Sequence, residues 1–334
     1  MTAYKKELRN LFNRIGGMML FFLLTTNILC GGAYLLGEEL QALSGARSMY
    51  VLSELLNAGA YAVAFLLPVW FFLAISKNKP IEPFGLQLGF SLKCPTLSTV
   101  AMIFLGTGAC FATSYVNSML FPISEEVSEA FFTSEIRGNY AIALMFISLA
   151  IIPALVEELL FRGAVLSSIR PYSESGAVLI SALLFGLMHQ TPYQLFYTTA
   201  LGVILGILRV KTGSIWAGVL VHFFNNLLSV IQSYLLERFD EQTGEVLYIA
   251  ITLMVAVGGI LLGAVLYYAS RKKVAPKTLT ELGIFRSNKD ECTEMVLVRE
   301  KRIVYSAFWS PTIIIYIVIC VLTMLTLAIE MGGV

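Results

Sequence analysis

Between residues 157 and 226 an otherwise apolar sequence places a few side chains able to move protons. Glu157 and Glu158 open the run Glu157-Glu158-Leu-Leu-Phe-Arg162, His189 closes Phe185-Gly-Leu-Met-His189, and His222 opens His222-Phe-Phe-Asn-Asn226. The chain has only 2 histidines, and both lie here. Carboxylates and imidazoles exchange protons, and an amide offers hydrogen bonds without charge. Held out of water, such groups suit acid–base chemistry or a proton relay, and ionisable residues inside membrane helices are functional candidates by default. Spacing sorts the two glutamates. Glu158 and Arg162 are spaced to face each other on a helix and read as a structural ion pair. Glu157 is rotated about 100° away and is the carboxylate available for chemistry. His222 and Asn226 share one helix face. Taken singly, each polar residue could be interhelical glue, above all Asn225 or Asn226. Their joint occurrence favours a functional site. Phe185, the methionines and the Gly202-x-x-x-Gly206 spacing read as packing.

The elements that must position these groups are membrane helices. The chain of 334 residues is 57% hydrophobic and 13% charged, with mean hydropathy +0.78. A soluble domain carries about 25% charged residues. Apolar runs of about 20 residues predict about nine helices, near 16–36, 56–76, 97–120, 140–168, 175–191, 193–209, 214–235, 247–269 and 306–329. The fold class is all-α, a polytopic membrane bundle with a buried polar site between helices four, five and seven. An interfacial helix is expected over 38–54, a linker with Pro80, Pro83 and Pro95 over 78–95, and a polar loop over 270–305 whose MVLVREKRIVY run alternates like a hairpin. Helix four is long, and Pro153 should kink or split it. Counting from the turn at Arg170 puts Glu157 and His189 about 20 Å deep and His222 about 16 Å deep. Four side chains from three helices thus arrive at similar depth.

Other polar features read as incidental. Asn27, Glu54, Asn57, Asn117 and Glu330 lie near span ends, where solvation or snorkelling accounts for them. The cysteines (Cys30, Cys94, Cys110, Cys292, Cys320) have neither metal-type nor disulfide-type spacing and read as small buried hydrophobes. Lys5, Lys6, Arg9 and Arg14 precede a full-length apolar run, so the first span reads as retained rather than as a cleaved signal. The net charge of +1 decides nothing. Basic and acidic loops alternate, however, which predicts a cytoplasmic N-terminus in a multi-pass cell-membrane protein.

The three motifs together resemble the CPBP family, the CAAX-processing and bacteriocin-related intramembrane proteases, whose pattern is EExxxR, FxxxH and HxxxN. Each motif alone is weak, and three in order on successive membrane helices are specific. The resemblance covers residues from about 150 to 230, roughly a quarter of the chain. It implies an intramembrane endopeptidase in which Glu157 and His189 activate a water, His222 and Asn226 stabilise the oxyanion, and Glu158 and Arg162 give structural support. A buried carboxylate that shares its proton with a histidine can serve as general base, and pre-placed donors in a dry site suit an oxyanion. No Ser, Cys or Asp joins either histidine at triad spacing, which disfavours a covalent route. Zinc is the main variant, with Glu157, His189 and His222 as ligands and water as the fourth. There is no HExxH, and an amide is a poor zinc ligand. The reading is therefore a glutamate-activated water without a tight metal, and no cofactor is certain.

The expected organisation is N-terminal helices and linkers over 1–138, a catalytic core over 139–236, and C-terminal helices with the polar loop over 237–334. The expected partners are the bilayer and a peptide or protein with a membrane-associated tail, processed as a CAAX-type or bacteriocin-type substrate; no nucleic acid is expected. Two other readings compete. A non-proteolytic binding protein, such as a bacteriocin self-immunity factor, would use the same cluster to hold a peptide. A proton-coupled transporter would need paired broken helices in related repeats, and the sequence has none.

Overall fold

The computed structural model describes residues 3–44, 47–76, 96–121, 139–272, 303, 305–307 and 309–330. Among them are nine long helices and no strand. They are α1 (Ala3–Ser44), α2 (Arg47–Ile75), α3 (Thr96–Leu120), α4 (139–169), α5 (Glu174–Met188), α6 (Pro192–Thr212), α7 (Ile215–Arg238), α8 (Glu241–Lys272) and α9 (Pro311–Glu330). Of these, 8 are long and apolar enough to cross a membrane, and α5, with 15 residues, is shorter. The chain is a multi-pass membrane helix bundle. Its outer faces expose large apolar side chains such as Trp70, Leu261, Val265 and Leu322, as a surface in contact with lipid should.

Two expected boundaries move. No separate interfacial helix occupies 38–54, because α1 runs unbroken to Ser44 and α2 starts at Arg47. The intervening Glu38-Glu39-Leu40-Gln41-Ala42-Leu43 is composed of strong helix formers, so nothing stops α1 earlier. Helix five ends at Met188 rather than 191. Pro192 starts α6, and it forces Thr191 before it into an extended conformation (φ −118°, ψ 130°). Between them Gln190 takes the left-handed conformation at φ 53°. The expected linker over 78–95 and most of the alternating run within 270–305 lie outside the described residues.

The central element is α4, which packs against α2, α5, α6 and α7. Pro153 neither breaks it nor ends it. The helix widens instead into π-helical turns over Phe146–Ile151, just before the proline, and again over Leu159–Leu166. A wide turn relieves the clash and the missing N–H that proline brings. The second wide stretch is buried throughout from Leu160 to Leu166, and Ser167 Oγ donates to the Arg162 carbonyl at 2.8 Å within it. Small residues set the closest approaches. A Cβ at Gly202 on α6 would lie 2.8 Å from Ala182 Cα on α5, and one at Gly108 on α3 would lie 2.7 Å from the Ala256 carbonyl oxygen on α8.

Candidate active site

The polar site has a closed side and an open side. On the closed side, Glu158 and Arg162 are both fully buried, and Arg162 Nη1 sits 2.8 Å from Glu158 Oε1. Arg162 Nη2 donates to the Gly202 carbonyl at 3.0 Å. The guanidinium also lies 4.6 Å from the centre of the Phe185 ring, a favourable cation–π arrangement. Phe185 further stands edge-on to Phe161, His189 and His222, with ring centres 5.1, 5.0 and 5.7 Å away. Packing is thus its role, but the packing fixes both imidazoles and the arginine together. Gly218 of α7 makes room for the Glu158 carboxylate, since a Cβ there would meet Oε2 at 2.7 Å.

On the open side, Glu157, His189 and Asn226 line one cavity of about 510 Å³ together with Glu54, Asn57 and Tyr61 of α2. Tyr61 Oη donates to Glu157 Oε1 at 2.5 Å. Glu157 Oε2 is buried and has no hydrogen-bond partner among the described residues. His189 caps the C-terminus of α5 and directs Nδ1 to the Phe185 carbonyl at 2.9 Å. With the proton on Nδ1, Nε2 is left as an acceptor. Asn225 Nδ2 donates to Asn226 Oδ1 at 3.2 Å, which leaves the Asn226 amide protons for the cavity. Asn225 is itself held by Tyr197, whose hydroxyl donates to its Oδ1.

His222 stands between the two sides. Its Nδ1 is 3.3 Å from Glu158 Oε1, and its Nε2 is 3.8 Å from Glu157 Oε2. It is 2% exposed and does not line the cavity. One turn of α7 separates His222 from Asn226, and the imidazole stands between the two carboxylates of α4. The turn into α7 is fixed locally, by Gly213 at φ 70° and by Ser214 Oγ accepting from the Trp216 amide at 3.2 Å.

The structure therefore brings Glu157, His189 and Asn226 to one cavity, pairs Glu158 with Arg162, and inserts His222 between the glutamates. It also enlists residues read as incidental. Glu54 and Asn57, in the first half of α2, also line the cavity. Asn117 donates to the Tyr193 carbonyl at 3.2 Å. Tyr61 lacked any local signal, although its spacing from Asn57 and Glu54 along one helix face could have suggested a polar stripe.

A catalytic zinc needs three protein donors converging on one point. Among the described residues no three His, Cys, Asp or Glu side chains are grouped to hold a metal ion. His189 and His222 each engage Nδ1 with a carbonyl or a carboxylate, which leaves Nε2 as the nitrogen able to bind a metal.

Comparison with known proteins bears on the same segment. Residues 139–228 match the family model described as "Type II CAAX prenyl endopeptidase Rce1-like". A stretch of 94 residues is 31% identical to the Bacillus subtilis (strain 168) protein named "Putative membrane peptidase YdiL", covering 27% of this chain and 38% of that protein. The chain thus matches well under half the length of that relative. No solved structure gives a significant match. All the candidate side chains of α4, α5 and α7 fall within the stretch 139–228 that matches this family model.

Proposed function

We propose that this protein is an intramembrane endopeptidase that hydrolyses a peptide bond of a membrane-associated substrate with a water activated by Glu157. The observation that carries this reading is the cavity wall, where the carboxylate of Glu157, the imidazole of His189 and the amide of Asn226 line one space. The family match over the same residues supports it. The substrate class in view is a CAAX-type tail or a bacteriocin-like peptide.

The chemistry follows from which atoms are committed. Tyr61 occupies Glu157 Oε1, so Oε2 is the oxygen left to act. A water that donates one hydrogen to Glu157 Oε2 and the other to His189 Nε2 turns a lone pair to the substrate carbonyl carbon. Glu157 takes the proton as the carbon–oxygen bond forms. The resulting oxyanion accepts from Asn226 Nδ2, worth about 3–4 kcal/mol for one donor in a dry site. When the carbon–nitrogen bond breaks, Glu157 returns the proton to the leaving amine nitrogen. His222 is a positioning group in this scheme and shares charge with Glu157 across 3.8 Å. Glu158 and Arg162 form the buried ion pair beside it.

The test is cleavage by purified protein in detergent, offered a CAAX-type fluorogenic peptide and a membrane-peptide library, with and without a zinc chelator. Wild type is expected to cleave in both conditions and Glu157→Ala in neither. Cleavage untouched by both Glu157→Ala and His189→Ala would defeat the reading, and loss of wild-type cleavage on chelation would move it to the zinc variant.

A further inference from the structure

We propose that Glu54 makes the cavity selective for substrates with a basic side chain close to the scissile bond. This rests on the peptidase reading and deepens it. Glu54, Asn57 and Tyr61 follow one face of α2 and line the same cavity as Glu157, His189 and Asn226. Tyr61 touches Glu157 directly, so the stripe leads from the reacting carboxylate to Glu54. Among the described residues the wall carries the carboxylates of Glu54 and Glu157 and no Lys or Arg. Glu54 has no hydrogen-bond or ion-pair partner among them. It is half-buried in the first third of the apolar span Ser48–Ile75. Glu157, 4% exposed, lines the same space. Two carboxylates on a wall that carries no Lys or Arg among the described residues disfavour an acidic ligand and favour a cation.

Distance sets where that cation sits. Glu54 is two helical turns from Tyr61, about 10 Å along the axis. An extended peptide rises about 3.3 Å per residue. The basic residue therefore lies within about three residues of the scissile bond, and nearer once the length of a lysine or arginine side chain is counted.

The test uses the full-length protein in lipid nanodiscs and a library of N-acetylated peptides, with products aligned on the cleaved bond by mass spectrometry. Wild type is expected to prefer Lys or Arg over Asp or Glu within three residues of that bond by about tenfold, the size of one charge-assisted hydrogen bond. Glu54→Gln should remove the preference and Glu54→Lys should reverse it. A preference absent from wild type, or kept by Glu54→Gln, overturns the proposal. A parallel library with free N-termini separates an α-amine from a side-chain cation, and a preference for the α-amine alone also overturns it. Binding gives a second readout. On Glu157→Ala protein, a fluorescent lysine-containing decapeptide should bind about tenfold more tightly than its norleucine counterpart, and adding Glu54→Gln should erase the difference. If wild type cleaves nothing, or Glu157→Ala cleaves as well as wild type, the peptidase reading fails while the binding comparison still decides the cation site.

Discussion

Glu157 and Glu158 are neighbours in sequence, and the fold surrounds them in opposite ways. Glu158 faces a sealed layer, where Oε1 pairs with Arg162 and Oε2 is buried without a hydrogen-bond partner among the described residues, while Arg162 in turn contacts the Gly202 carbonyl and the Phe185 ring. Glu157 faces a cavity, is held by one oxygen, and leaves the other unpartnered among the described residues. The 100° rotation between successive helical residues is enough to send one carboxylate to each side. The sealed side is an element of stability, because a buried pair is costly to break on one side only. The cavity side is an element of chemistry, because polar atoms left unpaired there are the ones able to pair with a substrate. His222 reads both sides at once, with one ring nitrogen towards each carboxylate.

This contrast can be broken by mutation, and the largest effect is expected on the open side. Glu157→Ala should lower peptide cleavage by about 10²–10⁴-fold, the usual contribution of a positioned general base, while thermal unfolding in detergent changes little. Arg162→Ala should do the reverse. It leaves Glu158 buried without its partner, and a stability loss of about 3–5 kcal/mol is expected, visible as a large fall in unfolding temperature. Gly218→Ala attacks the same sealed layer more gently. The added methyl must displace Glu158 Oε2 from 2.7 Å, at about 1–3 kcal/mol. Thermal unfolding is again the readout, and an unchanged midpoint would mean that the layer is looser than its geometry. The smallest effect belongs to Tyr61→Phe. Losing one hydrogen bond to a charged group should lower kcat by about tenfold with little change in KM, because Tyr61 orients Glu157 and is not consumed. Equal losses in kcat and thermal stability would instead assign Tyr61 to packing.

Much of this was legible in the sequence. Membrane helices announce themselves through long apolar runs, and charge is so scarce that the pairing of Glu158 with Arg162 follows from helical spacing alone. The convergence of α4, α5 and α7 came from counting residues back to shared turns. What escaped reading has identifiable causes. Hydropathy falls at Glu38 and Glu39 while helix propensity does not, so an apolar run understates the reach of α1. Apolar periodicity runs on through His189, although Pro192 and the extended Thr191 end α5 before it. Helical spacing puts His222 and Asn226 on one face, but it does not register that the imidazole stands between two carboxylates of another helix. Tyr61, Glu54 and Asn57 were missed as site residues because they come from α2, far from the motifs in sequence. Their contribution appears only when helices are packed.

The most direct test sets the two glutamates against each other with isosteric changes. Purified Glu157→Gln and Glu158→Gln proteins would be compared with wild type for cleavage of the same peptide library, each alongside its thermal unfolding. The account predicts that Glu157→Gln stays as stable as wild type and loses cleavage, whereas Glu158→Gln is destabilised and retains activity in proportion to its folded fraction. A stable Glu157→Gln protein that cleaves normally would contradict it.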